Sequence, residues 1–128
     1  MAYFGFTKAI VGGTPIRVFN EGQLERNFTY MDDIVTGVVA AAATQPLDHE
    51  VPYRLLNLGN HQPVKLADFI ATLEGLLGKD ANTQLAGMQP GDVYRTAANI
   101  DAAKALVGFE PSTNLATGLG HSVAWYRD

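Results

Sequence analysis

Cysteine is absent from the 128 residues, which excludes disulfides, thiolate metal centres and a cysteine nucleophile. Basic residues are in the minority, 9 Lys+Arg against 13 Asp+Glu, giving a formal net charge of −4 and a pI near 5.2. A face for nucleic acid or for an anionic membrane needs the opposite balance, so neither partner is expected. Long apolar runs are missing as well: the longest, Gly37 to Ala43, is far too short to span a bilayer. The opening residues, Met1 to Lys8, lack the basic segment, apolar stretch and cleavage site of a signal peptide. A soluble cytoplasmic protein is the resulting expectation. Generic catalytic motifs are missing too. There is no Gly-x-Gly-x-x-Gly or Walker-type loop and no Gly-x-Ser-x-Gly elbow. His49, His61 and His121 are far apart, with no metal-ligand neighbour at i+2 to i+4, so no metal site is expected.

What is present is the composition of one folded domain, 47% hydrophobic and 17% charged. Phe6, Ala9 and Ile10 have helical spacing within Ala2–Val11, a helix with no capping residue before it, and Gly12-Gly13 ends it. Pro15 to Phe19 reads as a short strand turned by Asn20-Glu21-Gly22. Asp32-Asp33 opens a second helix, where the dipole favours acid, with Ile34, Val35, Val38, Val39 and Ala42 as its apolar face and Pro46 beyond its end. Tyr53 to Leu58 is a near-continuous apolar strand, expected to be buried on both faces. Leu66, Phe69, Ile70, Leu73, Leu76 and Leu77 form the strongest helical stripe, ended by Gly78. A strand over Thr83–Met88, a helix over Asp101–Leu106 stopped by Gly108, and a last helix capped by Thr113 complete an α/β order.

Two segments have chemistry to offer. In Glu25-Arg26-Asn27-Phe28-Thr29-Tyr30-Met31-Asp32-Asp33-Ile34, an arginine stands in a polar stretch just before a helix. Composition alone favours a solvated arginine, but its fork also suits a phosphate. In Met88-Gln89-Pro90-Gly91-Asp92-Val93, a proline-glycine turn presents a carboxylate, which is either a plain turn aspartate or an acceptor for a ribose diol.

Both segments, in this order, resemble the C-terminal part of the NAD-dependent nucleotide-sugar epimerases and dehydratases, the extended short-chain dehydrogenase/reductase superfamily. The similarity is greatest to its UDP-glucuronate 4-epimerase branch. Further matching stretches are Met1-Ala2-Tyr3-Phe4 with Phe6-Thr7-Lys8-Ala9-Ile10, then Tyr53 to Val64, Gly108 to Thr113, and Val123 to Arg127, collinear over the whole chain. The resemblance implies a substrate-binding lobe for a UDP-sugar, residues 1–128 forming one truncated domain together with the last helix and strand units of the nucleotide-binding sheet. The main N-terminal Rossmann domain, with its NAD loop and the catalytic tyrosine and lysine separated by three intervening residues, would be absent. None of Tyr3, Tyr30, Tyr53, Tyr94 and Tyr126 has a lysine four positions on, so no catalytic residue is assigned here.

For the site, the resemblance implies that the strand holding Val18 and Phe19 lines the base, with the Phe19 ring against uracil. It implies further that Arg26 binds the diphosphate and Asp92 meets the ribose. Gln89 stands where many relatives have a second phosphate-binding arginine, and Arg95 is the candidate to compensate. NAD is the implied cofactor of the full-length family, with its site outside this chain. The reaction implied for the family is oxidation at C4, a 4-keto intermediate and re-reduction. A dehydratase, decarboxylase or reductase of the same superfamily, or a non-catalytic interaction module, are the alternatives. Because a sheet strand without neighbours exposes edge backbone and apolar surface, self-association is expected.

Overall fold

The computed structural model describes residues 2–44 and 53–128. Met1, Pro46 and His49 lie outside the described residues. Five helices and four short strands follow one another: α1 (Ala2–Gly12), β1 (Ile16–Phe19), β2 (Glu25–Arg26), α2 (Met31–Ala43), β3 (Val64–Lys65), α3 (Leu66–Leu77), β4 (Thr83–Ala86), α4 (Asp101–Val107) and α5 (Leu115–Arg127).

The strands form two ladders. β1 runs parallel to β4, with Arg17 opposite Gln84 and Phe19 opposite Ala86, while β2 runs antiparallel to β3, with Arg26 opposite Val64. A parallel pair needs a crossover, and α3 lies within it. Its stripe faces inward as its spacing requires: Phe69 and Leu73 are almost fully enclosed, and they join Ile10 of α1, Ile16 and Val18 of β1, and Leu119 and Val123 of α5 in the main core. Phe28 and Phe6 pack against the Phe69 ring at centroid distances of 4.2 and 6.1 Å. A smaller core gathers Ile100, Ala103 and Phe109 under Ile34, Leu56 and Leu58.

Glycine ends α3 and α4 as expected, Gly78 at φ 65° and Gly108 at φ 66°, each in the left-handed region that a side chain resists. The turn after β1 is tighter than its sequence suggests. Asn20, Glu21 and Gly22 have φ of 48°, 53° and 76° in succession, and a Cβ on Gly22 would stand 2.9 Å from that of Ala67. The turn is therefore seated directly on the start of α3.

Three expectations are corrected. Tyr53–Leu58 has no regular secondary structure and belongs to neither ladder of the described residues. Only alternate residues are covered: Leu56 and Leu58 pack on the smaller core, whereas Tyr53 and Leu55 are 73% and 75% exposed. The apolar face of α2 is not a core face either. Ile34 and Gly37 turn toward Phe109, while Val35, Val38 and Val39 stand exposed, since a helix this close to one ring can bury only a narrow strip. Finally, Asn114, not Thr113, caps α5, its side chain accepting from the Thr117 amide at 2.9 Å. Thr113 is occupied elsewhere: its amide and hydroxyl both donate to the Asp33 carboxylate at 3.1 Å.

Candidate functional site

β2 is only two residues long, yet it is fixed from several directions. Leu24 is buried just before it, and Phe28 is packed on Phe69 just after it. The Leu66 amide donates to Leu24, the Glu25 amide to the Tyr94 carbonyl at 2.9 Å, and the Thr96 amide to the Glu25 carbonyl at 3.2 Å. These bonds bring the Pro90-Gly91 turn segment alongside β2, although more than sixty residues separate the two in sequence.

The result is a charged cluster at the rim of the fold. Arg26 Nη2 stands 3.9 Å from Asp92 Oδ1, with both side chains about one-third exposed at 32%. Arg26 Nη1 donates to its neighbour's carbonyl, Glu25, at 2.9 Å, which fixes the fork near the strand. Arg95 pairs with Glu25 at 3.1 Å. The Asp92 amide closes its turn onto the Gln89 carbonyl at 3.1 Å, leaving Gln89 itself exposed.

Of the six residues singled out from the sequence, Arg26, Asp92 and Arg95 are drawn together, with Gln89 on the adjoining turn. Val18 and Phe19 belong to the other ladder. Val18 is 4% exposed and points into the core, so what it can offer a ligand is main chain. Phe19 is half-buried on the opposite face of β1, with the Arg17 guanidinium carbon 5.1 Å from its ring centroid.

A polar network that the sequence did not disclose supports this rim. Asn27 Nδ2 donates to the Asn60 carbonyl, the Asn60 amide donates to Thr29 Oγ1 at 2.8 Å, and Asn60 Oδ1 accepts from the Gln62 amide at 2.9 Å. Asn27 Oδ1 is buried and has no hydrogen-bond partner among the described residues. Gly59 passes close by, where a Cβ would stand 3.2 Å from that of Ala98. The one available signal was the presence of polar residues in two distant segments, Asn27-Phe28-Thr29 and Gly59-Asn60, and single-sequence patterning does not report long-range pairing.

Among the described residues no three His, Asp or Glu side chains cluster as ligands. No described helix is long and apolar enough to cross a membrane. What the cluster can do is bind. A guanidinium fork donates hydrogen bonds to a phosphate, and a carboxylate beside it accepts hydrogen bonds from hydroxyls, so the pair suits a ligand that is anionic and carries a diol next to its charge.

No family model matches the sequence. Individual proteins do. UDP-glucuronate 4-epimerase 4 of Arabidopsis thaliana is 41% identical over 138 residues, covering 98% of this chain and 32% of its own. Protein CapI of Staphylococcus aureus is 38% identical over 141 residues, covering 100% of this chain and 42% of its own. The crystal structure of UDP-glucuronic acid 4-epimerase from Bacillus cereus, in complex with UDP-glucuronic acid and NAD, superposes with a TM-score of 0.86 at 29% identity. That superposition covers 99% of this chain and 40% of that one. The chain thus spans well under half the length of these relatives, and it corresponds to their C-terminal part.

Proposed function

Since the chain belongs to the NAD-dependent nucleotide-sugar epimerases and dehydratases of the extended short-chain dehydrogenase/reductase superfamily, matching their C-terminal part, we propose that it binds the UDP moiety of a UDP-sugar for a 4-epimerase of the UDP-glucuronate type. The observation that carries this reading is the Arg26–Asp92 pair at 3.9 Å on a pinned strand. In a nucleoside diphosphate the ribose diol and the diphosphate are neighbours. A guanidinium for one and a carboxylate for the other must then stand side by side, with the cation shielding the carboxylate from the phosphates. Arg95, in the stretch that follows Gln89, is the candidate second cation, and it is held by Glu25 at 3.1 Å. Phe19 offers a flat ring to the base, and the main chain of Val18 lies beside it.

NAD, present in the Bacillus cereus structure, has no matching cradle among the described residues. A dinucleotide loop needs glycines that open a helix directly behind a strand. Here Gly12 and Gly13 close α1 instead, and α2 to α5 are preceded by Tyr30, Lys65, Ile100 and Asn114. The residues present do not fit the cofactor, and no hydride step is assigned to them. On this reading the chain's share of catalysis is positioning: binding energy at the UDP end holds the sugar in a reactive pose. Alone, the chain is inactive as an epimerase. The exposed Val35, Val38, Val39 and Leu55 support a second property, self-association of the isolated chain through apolar surface.

Titration calorimetry with UDP tests the binding assignment. Arg26→Ala removes charge-assisted hydrogen bonds and should weaken binding by about 10-fold or more. A chain that ignores UDP, or an Arg26→Ala variant that binds it as well as the wild type, overturns the assignment.

A further inference from the structure

On β1, Ile16 and Val18 enter the core, so Arg17 and Phe19 share the outer face two residues apart. Their partners across the parallel ladder are Gln84 and Ala86. Ala86 is too short to cover an aromatic ring, and Phe19 is only half-buried. The Arg17 guanidinium reaches the ring, 5.1 Å from the centroid, within the range where a cation is attracted by the negative face of the π system. The main chain after Phe19 is fixed independently by the turn through Asn20, Glu21 and Gly22, all at positive φ and seated on Ala67. The backbone end of Phe19 is thus set by the turn, and the Arg17 guanidinium lies over its ring.

We propose that Arg17 is a positioning residue for Phe19: it covers one face of the ring and holds its plane, leaving the other face as the platform for a nucleobase. The proposal rests on the reading above, in which Phe19 meets the base of a UDP-sugar. An exposed arginine near a diphosphate site could also act by simple attraction of the anion, and that route makes a different prediction. Attraction acts on charge whether or not a base is present, whereas positioning of Phe19 acts only through the base.

The test is calorimetry on the 128-residue chain with two probes, UDP and inorganic pyrophosphate, for wild type, Arg17→Ala, Arg17→Lys, Phe19→Leu and Arg17→Ala/Phe19→Leu. Arg17→Ala should weaken UDP binding by about 2- to 5-fold and leave pyrophosphate unchanged, the size expected of an exposed cation–π contact. Arg17→Lys keeps the charge but loses the planar stack, and should fall between Arg17→Ala and wild type for UDP. In the Phe19→Leu background, Arg17→Ala should cost nothing more. Equal weakening of both probes overturns the proposal, as does a UDP effect that persists without the Phe19 ring. If Phe19→Leu weakens UDP binding and Arg17→Ala does not, the Arg17 proposal alone fails. If Phe19→Leu leaves UDP affinity untouched, the base-platform reading fails first and takes this proposal with it.

Discussion

Gly37 offers a sharp test of how α2 is seated. It is buried on the inner side of that helix, and a Cβ built there would stand 2.6 and 2.9 Å from Cδ2 and Cε2 of Phe109, and 3.1 Å from Cδ2 of Leu58. Phe109 is 3% exposed and packs with Ile100 and Ala103, so its ring has nowhere to swing. On helix propensity alone Gly→Ala gains about 0.8–1 kcal/mol. Overpacking a closed core costs about 1–3 kcal/mol. The net expectation for Gly37→Ala is a loss of up to about 2 kcal/mol, a Tm lower by up to roughly 8 °C for a chain of this size. Gly75 supplies the contrast, since it lies inside α3 with nothing within 4 Å of its added Cβ. There the same substitution should gain the propensity term and raise Tm by roughly 3–4 °C. Calorimetric or circular-dichroism melts of both variants read the two signs directly. Shrinking the ring with Phe109→Leu should relieve part of the Gly37→Ala penalty, a coupling visible in a double-mutant cycle. Should Gly37→Ala stabilise as much as Gly75→Ala, the close seating of α2 on Phe109 is wrong.

Two further outcomes follow from the surface. Lys104 donates to the exposed Glu110 carboxylate at 2.7 Å and holds its pKa below the ordinary value of 4.5. A lowered folded value means the pair's stabilisation is present above about pH 4.5 and disappears as pH falls through the folded pKa. The Tm difference between wild type and Glu110→Gln should therefore narrow toward acid; a difference that widens there would refute the pairing. Self-association through the apolar surface predicts a molar mass that rises with concentration in size-exclusion chromatography with light scattering, and Val38→Asp, at a half-exposed position on α2, should reduce it. A monomer at every concentration excludes that property.

Most of the local architecture was legible in the chain because it depends on local rules. The stripe from Leu66 to Leu77 has only one way to satisfy a 3.6-residue period, and Gly78 and Gly108 stop helices because they alone adopt left-handed φ cheaply. The misreadings share a different cause. An apolar segment such as Tyr53–Leu58 has strand character, but a strand exists only where a partner supplies the ladder, and no residue in the segment encodes that partner. Likewise the valines of α2 state that a face is apolar without stating what covers it. Thr113 and Asn114 are both good caps, and the choice between them was made by Asp33, eighty residues earlier, which engages Thr113.

For the proposed site, the sequence by itself supplied candidate groups, a guanidinium at Arg26 and a carboxylate on the turn at Asp92, and the family resemblance added the ring of Phe19. Only the tertiary structure decided that Arg26 and Asp92 stand 3.9 Å apart, that Arg95 is held by Glu25, and that Arg17 lies over Phe19. The reason is physical. Chemistry belongs to a residue, whereas proximity is produced by the ladder, the buried Leu24 and the Phe28–Phe69 contact, which spend distant parts of the chain on fixing two residues of strand.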